Sequence, residues 1–190
     1  MAKSFSKKYG LTRDTLLKIA AAGGFIIAAG SSPYFLHAIA RQFFKETVKK
    51  TIRARAKKLR EMEKRKLISF QELGGGKVRI KLAHHGKTLV RLYNLEDMKL
   101  KIPKKWDASW RIIMYDIPSS KRKASDAFRE KLTQLGLYKL QKSVWVSPYE
   151  CLSEIEFLCA VFEINIDNCV LYFKTKEIPK EAEIKKNFEL

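Results

Sequence analysis

The chain has 190 residues and carries 39 Lys and Arg against 20 Asp and Glu, a formal net charge of +19. That length holds one good core or two modest ones. Its three cysteines, Cys151, Cys159 and Cys169, are odd in number and form no CxxC pair, which makes a poor disulfide framework and suits a reducing, cytoplasmic setting.

The charge is uneven. Residues 1–105 hold 26 Lys and Arg against 7 Asp and Glu, whereas residues 106–190 hold 13 against 13. Such an excess marks a polyanion partner, because Lys and Arg beside phosphates release condensed counterions. Nucleic acid is the first reading, and an anionic membrane surface competes with it.

In chain order, Thr12 is placed to cap a first helix running to about residue 29, and Ser31, Ser32 and Pro33 stop it and start a second. Residues 19–40, which open on Ile19 and close on Ala40, contain no Asp, Glu, Lys or Arg. They read as buried helix, dimer interface, signal peptide or weak membrane span. Glycines and Pro33 interrupt the apolar run, and basic residues flank it on both sides, so the positive-inside rule selects no orientation.

A third helix is expected over residues 48–62, where Val48, Ile52, Ala56, Leu59 and Met62 recur at helical spacing. Its other face is basic: Lys49, Arg53, Lys57, Arg60 and Lys64 form a stripe, with Arg55, Lys58 and Arg65 beside it. Only Glu61 and Glu63 interrupt these charges, so phosphates explain the stripe better than solubility does. Two short strands follow, residues 67–71 and 77–82, joined across Gly74, Gly75 and Gly76. In the second strand Lys77, Arg79 and Lys81 alternate with Val78, Ile80 and Leu82, which puts a basic face opposite an apolar one. The triple glycine lacks the spacing of a phosphate-binding loop. Three helices followed by a basic hairpin is the plan of a winged helix-turn-helix.

His84 and His85 open a short helix to about residue 93, without the neighbouring ligands a metal site needs. Residues 94–105 read as a linker. Beyond it, a strand over residues 111–115 exits on Asp116, Ser119 or Ser120 caps a helix with Phe128 and Leu132 on its apolar face, and Gly136 ends that helix. A strand over 140–146, a helix over 152–162 and a strand over 169–174 complete the pattern, with Cys151 and Cys159 as small core hydrophobes. The order suggests a ferredoxin-like βαββαβ domain. The fold class is therefore α+β: an N-terminal winged helix-turn-helix (residues 1–93), the linker, a ferredoxin-like domain (106–176) and a C-terminal tail (177–190).

Tyr115, Asp116, Ile117 and Pro118, then Arg122, Gly136 and the run Gln141, Lys142, Ser143, Val144 resemble the signature of the small CRISPR adaptation endonuclease. Trp106, Asp107 and Trp110, with Val144, Trp145, Val146, Ser147 and Pro148, are more similar to the central domain of PaaX-like regulators, the phenylacetate-degradation repressor family. That resemblance implies a winged helix joined to an endonuclease-like domain that pairs two subunits. The sequence ends soon after the second domain, so the acyl-coenzyme A ligand of the full-length repressors is not implied.

The endonuclease resemblance gives one residue a catalytic role, Asp116, whose copies in two subunits would hold Mg²⁺ or Mn²⁺ across a dimer axis. Glu150 and Asp126 are candidate helpers. A cap or loop acceptor is the plainer use of such an aspartate. The expected function is thus a dimeric, sequence-specific regulator of double-stranded DNA, acting as a repressor and requiring no cofactor. The groove and phosphate contacts are assigned to Lys49, Arg53, Lys57, Lys58, Arg60, Lys64, Lys77, Arg79 and Lys81. A metal-dependent endonuclease is the alternative.

Overall fold

The computed structural model describes residues 5–28 and 35–190. The chain is α+β and divides into two units, Met1–Glu96 and Asp97–Leu190, each with its own antiparallel sheet.

The first unit opens with α1 (Phe5–Ala21), so Thr12 lies inside the helix and does not cap it. The expected continuation to residue 29 fails at Gly23 and Gly24, whose φ values of 65° and 125° favour glycine. Their N–H groups bond back to the Ala20 and Ile19 carbonyls and close the helix end. The next apolar run is strand β1 (Phe25–Ala28). The expected start at Ser31, Ser32 and Pro33 lies outside the described residues. Helices α2 (Phe35–Phe44) and α3 (Lys49–Lys64) follow, then β2 (Ile68–Gly74), β3 (Lys77–Leu82) and α4 (His84–Asp97). The sheet order is β1-β3-β2, so β3 is central.

Described apolar residues of the stretch 19–40 join this core. Ile19, Ile27, Leu36, Ile39 and Ala40 are buried with Ile52, Leu59, Met62, Ile68 and Ile80. Among the described residues, no helix is long and apolar enough to cross a membrane.

In the second unit, β4 (Trp110–Tyr115) runs into a single 3-10 turn at Ser119–Lys121 and α5 (Arg122–Gln134). Neither Ser119 nor Ser120 caps α5 through its side chain; Lys121 takes the cap position, and its N–H bonds to the Pro118 carbonyl. The single strand expected over 140–146 is two, β5 (Tyr138–Gln141) and β6 (Val144–Ser147), joined by the polar pair Lys142 and Ser143. Then come α6 (Leu152–Val161), the short α7 (Ile166–Cys169) and β7 (Val170–Thr175). The sheet order is β5-β6-β4-β7, antiparallel throughout.

One face of this sheet meets α5, where the Phe128 ring packs edge-on against Tyr115 with centroids 5.2 Å apart. The other face is covered by a segment expected as a tail: α8 (Glu181–Asn187) buries Ile184 against Trp110, Ile112 and Val146. Trp110 Nε1 donates to Glu181, and the Tyr138 hydroxyl donates to Glu183 at 2.7 Å. The residues of this stretch that pack there, Ile178, Ile184 and Phe188, are too few to show a period, yet they suffice once two tryptophans, Trp106 and Trp110, offer a surface.

Buried Arg111 ties the edges of this unit together. Its two terminal nitrogens donate to the two Asp107 oxygens at 2.7 and 2.9 Å, and one of them also donates to the Ser109 and Pro148 carbonyls at 2.9 Å. Its Nε donates to Glu150, which also accepts from the Tyr172 hydroxyl.

Candidate nucleic-acid interface and the Asp116 cleft

Helix α3 separates its residues by spacing. Ile52, Ala56, Leu59 and Met62 are buried, while Lys49, Arg53, Lys57, Arg60 and Lys64 are exposed. Val48, expected on the apolar face, precedes the helix in extended conformation and is 59% exposed. Among the described residues the five stripe cations enter no ion pair. Their neighbours do: Lys58 and Arg65 share Glu61, at 3.1 and 3.7 Å. Arg55 turns to Glu46 and lies over the Phe44 ring, 5.1 Å from its centroid. Of the α3 residues assigned to DNA, Lys58 is therefore partly neutralised.

The central strand β3 places Lys77, Arg79 and Lys81 on one face, with Val78 and Ile80 buried on the other. Directly across from them stand Ser69, Gln71, Ile26 and Ala28, with no acidic residue. Charges on this face are unopposed. The turn at its end has three glycines at positive φ, 82°, 56° and 67°. His84 and His85 lie near one another, and His85 Nδ1 pairs with the Arg65 carbonyl at 3.3 Å.

In the second unit Asp116 leaves β4 with its N–H bonded to the Cys169 carbonyl, while its carboxylate is exposed and accepts no hydrogen bond among the described residues. It borders two hollows. One is an open cleft of about 450 Å³ shared with Arg122, Asp126, Arg129 and Lys142. The other is shared with Asp167 and Cys169. Of the candidate helpers, Asp126 faces Arg129 at 3.3 Å and Glu150 is committed to Arg111 and Tyr172. The described residues contain no group of three or more His, Cys, Asp or Glu able to hold a metal ion.

The cysteines are free, and Cys151 and Cys159 are buried. Burial pushes both thiols up to about 11, which keeps them protonated and poor nucleophiles at neutral pH.

The neutral sum over residues 106–190 hides a division. Residues 119–142 carry seven Lys and Arg against two Asp and Glu, while residues 143–190 carry five against nine. Counting over the whole half concealed Arg122, Arg129 and Lys142 as a group; shorter windows expose them.

Residues 103–186 match the family model of the PaaX protein central Cas2-like domain. The second unit is thus similar to the Cas2-like domain of PaaX proteins. No curated protein matches the chain. The PaaX-like match takes in β4 through α8 nearly to its end, and so includes both the Asp116 cleft and the helix that covers the sheet. The PaaX family points to a transcriptional regulator.

Proposed function

We propose that the chain is a sequence-specific double-stranded DNA-binding regulator that acts as a dimer and represses transcription. One observation carries the reading: five exposed cations follow one face of α3 with no acidic partner among the described residues, an arrangement that gains by meeting phosphates.

The order α1, β1, α2, α3, β2, β3, with the sheet order β1-β3-β2, supports a winged helix-turn-helix in the first unit. On that plan α3 enters the major groove, with Arg53 and Lys57 at base edges. Lys77, Arg79 and Lys81 hold phosphates. In the second unit the order β5-β6-β4-β7, with α5 and α6 as the crossovers, supports a ferredoxin-like βαββαβ domain. Met114, Leu171 and Phe173 are exposed on one face of β4 and β7, and this apolar surface favours pairing of two copies there. A two-fold pair addresses half-sites about 34 Å apart, or a multiple of that distance.

The second reading, a Mg²⁺- or Mn²⁺-dependent endonuclease, is favoured by the exposed carboxylate of Asp116 at the exit of β4, which accepts no hydrogen bond among the described residues. One carboxylate holds such an ion weakly, and a second copy facing it across a dimer axis would complete the site.

Arg79→Ala tests the regulator reading. It should weaken binding to all duplex sequences alike and flatten the dependence of log K on log salt by about one unit. The measurement is a titration of labelled duplexes at several salt concentrations. An unchanged slope counts against the proposed wing.

A further inference from the structure

The cleft beside Asp116 holds more donors than the acceptors around it satisfy among the described residues. Arg129 is fixed on its wall: Nε donates to the Tyr115 hydroxyl at 3.4 Å, one terminal nitrogen donates to Asp126 at 3.3 Å, and the Tyr115 hydroxyl donates to the Lys142 carbonyl. Of the five N–H groups on a guanidinium, three remain. Arg122 is 88% exposed and forms only a long ion pair with Asp126 at 4.0 Å, too far for a hydrogen bond. The Lys142 ammonium has no partner among the described residues, and the hydroxyls of Ser119, Ser125 and Ser143 add further donors. Against these stand two carboxylates, one already receiving Arg129.

Three cations and three hydroxyls around one hollow match a tetrahedral oxyanion, whose several oxygens accept from a fork and a point charge together. We infer that Arg122, Arg129 and Lys142 form a phosphate-binding site in the Cas2-like domain, separate from the basic stripe of the first unit. Arg129 is the oriented member, held by Tyr115, and Arg122 and Lys142 close on the ligand from solvent. Asp116 opposes the bound charge and sets a modest affinity. The phosphate belongs either to a nucleic-acid backbone or to a small phosphorylated molecule. Only the first source rests on the proposed DNA binding.

The experiment titrates the ¹⁵N-labelled full chain with inorganic pyrophosphate and, separately, with duplex DNA, following the amides of residues 119–125 and the Arg129 side-chain N–H. Pyrophosphate should shift these signals. The Arg122→Ala/Lys142→Ala double variant should bind about tenfold more weakly, since each loses a charge-assisted contact to the anion. Both side chains are exposed, so the fold is not at risk. Lys176→Ala, an exposed lysine outside the cleft, should change nothing. Asp116→Asn should tighten binding by about threefold through removal of a like charge.

Duplex DNA that shifts the same signals assigns the phosphate to the backbone; duplex that binds without shifting them assigns it to a small ligand, and both results uphold the site. A pyrophosphate response without any duplex binding also upholds it, while removing the regulator reading. Absence of a response to both probes, or an equal loss in Lys176→Ala, overturns it. So does a response to Mg²⁺ alone that disappears in Asp116→Asn.

Discussion

Gly86→Ala is expected to unfold the first unit. Helix α4 begins directly after β3, and its first turn lies against the backbone at Leu67. A methyl group built on Gly86 meets the Leu67 carbonyl oxygen at 1.9 Å and its carbon at 2.8 Å. That oxygen already accepts the Ala83 N–H at 3.0 Å, so it belongs to the junction where β2 begins and α4 starts. Both clashing atoms are backbone, which cannot swing aside as a side-chain end can. Overpacking a core costs about 1–3 kcal/mol where side chains can adjust. Here a helix must move, and a loss of about 3 kcal/mol or more is expected. All three tryptophans, Trp106, Trp110 and Trp145, lie in the second unit, which separates the readouts. Helical circular dichroism should melt early in the variant while tryptophan fluorescence keeps its native transition. A wild-type melt by both probes would show that α4 does not pack this closely.

Arg111→Met is expected to destabilise the second unit by about 3 kcal/mol, the lower part of the range for breaking a buried charged pair. The side chain is 7% exposed, and its loss leaves the Ser109 and Pro148 carbonyls without their donor. Asp107 and Glu150 are partly exposed, and Asp107 keeps Lys174 at 2.8 Å, so water and that lysine soften the loss. The hydrogen bond from Arg111, then that from Lys174, holds the Asp107 carboxyl well below the usual carboxylate range. A depressed folded value contributes stability above the unfolded pKa, about 4, and that contribution drains away as pH falls towards the folded value. The gap between wild type and Arg111→Met should therefore be widest near neutral pH and narrow below about pH 4. Denaturant titrations at pH 7 and pH 3, followed by tryptophan fluorescence, measure it. Parallel losses at both pH values would contradict the assignment.

What was legible in the residues follows from how far each signal reaches. Helix α3 reads correctly because its apolar and basic residues repeat over four turns, and β3 because Lys77, Arg79 and Lys81 alternate with buried neighbours. Strand β1 does not, because a four-residue apolar run beside a helix has no period of its own; only the Gly23 and Gly24 pair hints at the break. The β5 to β6 turn escaped notice because Lys142 and Ser143 make it without a glycine or proline. Helix α8 is invisible locally, since what orders Ile184 is a tryptophan surface some seventy residues earlier in the chain. The cleft was hidden by averaging, and its key restraint, the Tyr115 hydroxyl between Arg129 and Lys142, is a tertiary fact.

The most direct test of the proposed function incubates the pure full chain with labelled duplex DNA taken from upstream of its own gene, with and without Mg²⁺ or Mn²⁺. A shift that needs no metal, leaves the duplex intact and persists in Asp116→Ala is the predicted result. Metal-dependent cleavage that Asp116→Ala abolishes would contradict it and make the Cas2-like domain the working part of the molecule.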